Sequence, residues 1–264
     1  MSDAISRAVT RADGFVARAA APLELVFWET LLRRRDARGF LAALAGVQTP
    51  AGSLAASAPS AVADPALAAT LGGLRWLDAL GLLDHPLVER AAGWLLARQR
   101  EDGGWDEPGA DEERRIALSG EVAGLLAKTP FARVSALTRA EDFLARRWSI
   151  ERVQGPRYSP ILAYVHALAH LSSDRADEVL QWCGRELERG FRTHVFGAVA
   201  VARVFLRARA RALPGCGIEA SELVATLLAG QGADGGWPEE EGGSRCTITL
   251  EAVEGLLRLG PGGA

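Results

Sequence analysis

Along the chain, apolar residues recur three and four positions apart rather than at every second position. That spacing gathers them on one face of an α-helix, and no stretch sustains the alternation of a half-buried strand. Ile5, Val9, Ala12 and Val16 form the first such stripe. The punctuation is helical as well. Asp64-Pro65 before ALAATLGGLRWLDALGLL offers an N-cap followed by Pro at the first helical position, and Ser159-Pro160 before ILAYVHALAHL repeats the device. Thr138, with Glu141 three residues on, has the spacing of a capping box. These signals predict about twelve helices, near 3–19, 22–34, 36–47, 65–83, 86–99, 112–127, 136–147, 159–171, 174–188, 192–211, 218–230 and 246–259.

One interruption of the helical pattern is written more than once. Residues 99–105 read QREDGGW and residues 231–237 read QGADGGW; QTPAGSL at 48–54 is a degenerate copy. The first two copies are 51 residues apart and the next lies 132 further on, three steps of 44. The intervening steps fall near residues 143 and 187, where AEDFLARRWSIERVQG and CGRELERGFRTH each end one predicted helix before another begins. A period of this size marks a repeated helical hairpin. Five repeats and an extra N-terminal pair give six hairpins in a single domain over 1–264. Leu95 and Leu96 precede Gln99, and Leu227 and Leu228 precede Gln231, so each phrase ends an apolar helix. Asp-Gly-Gly breaks that helix, the Trp folds back, and the Gln amide can bond a neighbouring helix end. The phrase is therefore expected to clamp one hairpin to the next.

Composition narrows the function classes. Of 264 residues, 48 % are hydrophobic and 24 % charged, enough for a sizeable core. The formal net charge is −3, Lys128 is the only lysine, and the arginines form no basic stripe, which argues against nucleic acid as a partner. No apolar run reaches the roughly 18 residues of a membrane span. The N-terminal stretch lacks the continuous apolar core of a signal peptide, and Cys183, Cys216 and Cys246 stand far apart, so a cytoplasmic location is expected.

The phrase carries a resemblance. A helix, Gln-x-x-x-Gly-x-Trp and a second helix, as at Gln99–Trp105 and Gln231–Trp237, resemble the QW repeat of squalene–hopene cyclases and other class II terpene cyclases, and look like the repeat of protein prenyltransferase β subunits. The resemblance implies an all-α fold, an (α/α)6 toroid of inner and outer helices around an apolar central cavity, and an enzyme that binds and transforms an isoprenoid there. Full-length class II cyclases carry two such domains; this chain has the length of one. The families' chemical motifs are another matter. No two Asp are adjacent, so neither the Asp-x-Asp-Asp acid motif nor an Asp-Asp-x-x-Asp metal site is present. Alignment on VEGLL places Ile248 where prenyltransferases have a zinc-binding His, although Cys246 is nearby. Trp182-Cys183-Gly184 lacks the adjacent His of lanthionine cyclases, and Gly215-Cys216-Gly217 continues as Ile218-Glu219, without the Gln of thioester domains. No protein-bound metal is therefore expected, and Mg²⁺ only in company with a bound diphosphate.

In the resembled families the inner helix after each phrase supplies pocket residues. By that rule the candidates are Arg114, Arg115, Ser119 and Glu121, then Arg245, Cys246, Thr247, Thr249 and Glu251. The eroded repeats supply Arg157, Tyr158, Tyr164, His166, His170, Arg192 and His194; the second helix offers Glu24, Trp28 and Glu29, and the fourth Trp76 and Asp78. Glu121, within the apolar SGEVAGLL, or Asp78 would replace the missing acid if burial raises its pKa; pairing with an Arg is the plain alternative. Arg157 and Arg192 each open a predicted inner helix and suit a diphosphate, against the default of surface charge. Trp28, Trp76 and Tyr164 offer π faces to a carbocation, or simply pack. His166 and His170 share a helix face, with no carboxylate on that helix to complete a metal site. Two other readings stay open: a non-catalytic toroid that carries an isoprenoid or lipid or docks on a protein partner, as prenyltransferase β subunits do, and a glycosidase with two facing carboxylates.

Overall fold

The computed structural model describes residues 2–33, 36–55, 63–240 and 243–262. Twelve α-helices are found among them: α1 (Asp3–Ala19), α2 (Pro22–Arg33), α3 (Arg38–Gly46), α4 (Pro65–Leu80), α5 (Pro86–Leu96), α6 (Glu112–Ala127), α7 (Val134–Arg147), α8 (Tyr158–Leu168), α9 (Ala176–Arg192), α10 (Ala198–Ala208), α11 (Ala220–Ala229) and α12 (Arg245–Leu259). A 3₁₀ turn, Ile150–Arg152, follows α7. The chain is thus all-α; among the described residues the sole β-type pairing is an isolated bridge between Gln48 and Leu54. Residue 34, the last of the second predicted helix, lies outside the described residues. The Asp64 carboxylate caps α4 by accepting from the Leu67 N–H at 2.9 Å, ahead of Pro65. Two of the expected capping signals are not used as such. α8 begins at Tyr158, with Arg157 at the N-cap and no side-chain cap. Thr138 lies inside α7, where its hydroxyl donates to Val134 O, so it forms no capping box.

The even-numbered helices pack on one another in chain order, from α2 on α4 to α10 on α12, and α1 packs on both α11 and α12. The repeated phrase makes the seams of this succession. Gln48, Gln99 and Gln231 each donate from Nε2 to a carbonyl within their own turn, at Gly52, Gly103 and Gly235, and to one on another odd-numbered helix: Leu87 on α5, Ala136 on α7 and Ala8 on α1, all at 2.8–3.0 Å. The third seam therefore joins the last hairpin to the first helix. The Trp does fold back: Trp105 and Trp237 are buried, and their indole N–H groups donate to Leu95 O and Leu227 O, at the ends of the helices they follow. Gly103 has φ +92°, and a Cβ there would lie 2.1 Å from Arg139 O, so only glycine lets the turn approach α7. The main-chain N–H after the glycines is taken by a hydroxyl from the following helix: Thr70 to Leu54, Ser119 to Trp105 and Thr249 to Trp237.

Candidate functional site

Inside the succession of even helices lies a cavity of about 260 Å³, lined from α4, α6, α8, α10 and α12. Half of its lining residues are charged. Arg75 on α4 reaches Glu121 on α6. Arg203 and Arg207, four residues apart and so on one face of α10, converge on Glu251 of α12: Arg203 Nε lies 2.8 Å from Oε2 and Arg207 Nη2 3.2 Å from Oε1. Tyr158 donates from its hydroxyl to Ala200 O at 2.8 Å and accepts from Arg203 at 3.5 Å. α8 is brought close by Gly120 and Gly124, four apart on α6; a Cβ on the first would meet Ala163 O at 2.5 Å, and on the second the His166 ring at 2.4 Å.

Three guanidiniums face two carboxylates in this space, with Arg114 at its exposed rim. Burial alone would raise both carboxyls, but the arginines outweigh it. Arg75, then Arg207 and Arg114, hold Glu121 below the usual carboxylate range, and Arg203, Arg207 and Arg75 do the same for Glu251. Both are therefore ionised at neutral pH. Burial pushes the Tyr158 phenol up to about 12. His166, 1 % exposed, is pushed well below its ordinary value, first by burial and then by the cations Lys128 and Arg207, so the imidazole is neutral. Its Nε2 lacks a hydrogen-bond partner in the protein.

An adjoining cavity of about 130 Å³ shares Arg75, Arg207 and Glu251 with the first but has an aromatic wall. Phe27 stacks on Trp76 with ring centres 5.4 Å apart, and Phe40 meets Trp76 edge-on at 6.3 Å. Glu254 borders this space. It is 7 % exposed, and burial raises its pKa despite Arg207 and Arg258, whose Nε lies 3.3 Å away.

The residues expected from the sequence are dispersed. Glu121, Tyr158, His166 and Glu251 line the ionic cavity, and Trp76 the aromatic one. Asp78 lies elsewhere, bound by Lys128 and Arg209; burial would raise its carboxyl, but these two cations hold it down. Ser119 and Thr249 serve the seams. Trp28 is buried and donates to Asp13 Oδ1 at 2.7 Å. Tyr164 packs edge-on against Trp148. Arg157 is half-exposed, 3.6 Å from Glu113. The tenth helix was expected to open at 192, but α9 continues to Arg192, His194 turns with φ +59°, and the N–H of Val195 closes α9 on Gly190 O. Arg192 and His194 are thus exposed at the C-terminal end of α9, where Arg192 pairs with Glu188 and Glu222.

The arginines that define the cavity, Arg75, Arg203 and Arg207, were not among the expected residues. A signal for them exists: AVAVARVFLRA holds two Arg four apart in an otherwise apolar helix, and such charges must find partners inside. A scan against models of known protein families finds no match, and a search of curated proteins finds no similar sequence. Among the described residues no helix is long and apolar enough to cross a membrane, and no group of three or more His, Cys, Asp or Glu is gathered as for a metal.

Proposed function

We propose that the protein binds a small anion-ended apolar molecule between its even helices, a short-chain isoprenoid diphosphate being the ligand that the QW-type phrase suggests. The observation that carries this reading is the excess of guanidinium over carboxylate around one cavity, beside a second cavity with an aromatic wall. Arginine is suited to two-pronged recognition of phosphate oxygens. The Phe27–Trp76 stack would receive the apolar end. Ligand pockets commonly span ~300–1,000 Å³, so cavities of about 260 and 130 Å³ favour a short chain over one of squalene's length. Titration calorimetry with geranyl diphosphate, pyrophosphate and squalene tests this. Geranyl diphosphate should bind most tightly and squalene not at all; equal binding of squalene, or binding of none, would overturn the reading.

A second reading, an enzyme that protonates its ligand and cyclises it, is favoured by Glu254 alone. It is the one carboxyl of these walls that burial tips towards the neutral acid, and it sits beside the aromatic rings. Under this reading, mass spectrometry of organic extracts would reveal a cyclic product that Glu254→Gln eliminates without loss of binding. Unchanged substrate throughout would leave the binding reading.

A further inference from the structure

A second buried charge cluster lies where the even helices end. Asp78 is in the last turn of α4, Lys128 follows the last residue of α6, Arg209 follows α10, His170 lies two residues beyond α8, and Arg258 is in the last turn of α12. Lys128 is the chain's only lysine, and its side chain is 2 % exposed. Its ammonium pairs with Asp78, whose other oxygen accepts from Arg209 Nε at 3.1 Å. The cluster borders an open cavity of about 380 Å³, also lined by Asp84, Pro130 and Arg258. A buried amine bordering an open cavity, with a carboxylate paired to it, is not needed for the binding proposed above.

We propose that Lys128 is a nucleophilic amine that condenses with small aldehydes entering this cavity. Burial lowers its pKa to about 8; Asp78 opposes that shift, and Arg207 and Arg209 add to it, while His170, held neutral mainly by burial, contributes no charge. A useful fraction of free amine is thus present just above neutral pH. In the step, the ammonium first loses a proton to solvent. The Nζ lone pair then forms a bond to the carbonyl carbon, the carbonyl oxygen takes one proton from the nitrogen and a second from solvent, and water leaves as the C=N bond forms. The protonated imine carries the same single positive charge as the ammonium, so the pairing with Asp78 is retained, and the negative ends of α4, α6 and α10 favour that charge. Acylation would delete the charge and leave a buried carboxylate with Arg209 alone, which disfavours acyl donors.

The test is covalent labelling of the folded protein at pH 8, with propanal plus cyanoborohydride in one arm and N-hydroxysuccinimidyl acetate in the other, read by peptide mass spectrometry. Cyanoborohydride supplies the hydride that turns the imine into a stable secondary amine. The expected result is propylation of Lys128 at least tenfold faster than its acetylation, with several-fold slower propylation in Arg209→Gln, where loss of a repelling cation raises the lysine's pKa. Labelling of Lys128 only after unfolding, or acetylation as fast as propylation, would overturn the proposal; so would an Arg209→Gln rate equal to that of the unsubstituted protein.

Discussion

Gln99 and Arg75 both place a polar side chain between helices, yet they do different work. Gln99 is neutral, and its amide N–H groups go to two main-chain carbonyls, one on each side of a seam. Arg75 is charged, and its partner is another charge, Glu121, across a cavity. The donors of this seam amide are spent on main-chain carbonyls and its oxygen accepts from Arg139, so nothing on Gln99 remains for a ligand. In the cavity wall the arginines outnumber the carboxylates, so positive charge is in excess there. The seams therefore read as the frame and the cavity as the place where another molecule is held.

The largest effect should come from breaking a seam. Trp105 is 1 % exposed, and Trp105→Ala should cost about 3–5 kcal/mol, read from urea unfolding. A loss under 1 kcal/mol would mean that the phrase is not a clamp. Next is the cavity. Glu251→Gln leaves Arg203 and Arg207 short of their counter-ion and should cost about 3 kcal/mol. Pyrophosphate should restore part of that loss in thermal melts, and should fail to do so for Trp105→Ala, which separates the two regions by experiment.

A smaller effect is expected from pH. Folding depresses the pKa of His166, so the unfolded chain binds the proton first. The corresponding stability is fully present above the unfolded value near 6.5 and is lost as pH falls below it, by roughly 1.4 kcal/mol per pH unit for each such histidine. His170 shifts in the same direction, so His166→Gln should reduce, not abolish, the slope of unfolding free energy between pH 6.5 and pH 5. An unchanged slope would show that His166 is not the buried neutral base described here. Smallest of all, Arg157→Ala and Arg192→Ala remove exposed charges that line neither cavity, and neither melting temperature nor geranyl diphosphate affinity should move.

The frame was legible because its signals are local. The stripe from Ile5 to Val16, Pro65 after Asp64, and the break at Asp102-Gly103-Gly104 each depend on a few adjacent residues, and the matching helix ends follow. The seam at Gln231 could be anticipated as a clamp, but not its partner: Ala8 is 223 residues away, and the period alone does not say that the last hairpin meets the first helix. The cavity was only partly legible. Glu121, Tyr158 and His166 could be named from position after a helix start, whereas Arg192 and His194 were misplaced by a left-handed turn that ends α9 late. The cavity's ion pairs were not legible, because Arg75, Arg203 and Arg207 reach across helices to partners that no sequence spacing links to them.

The most direct measurement is the calorimetric affinity of geranyl diphosphate for the unsubstituted protein and for Arg203→Gln, with geraniol as the uncharged control and circular dichroism confirming that both proteins are folded. Tight binding of the diphosphate, at least tenfold weaker in the folded variant, with geraniol weak in both, is the predicted result. Equal affinities in the two proteins, or geraniol binding as well as its diphosphate, would contradict an anion held by the cavity arginines.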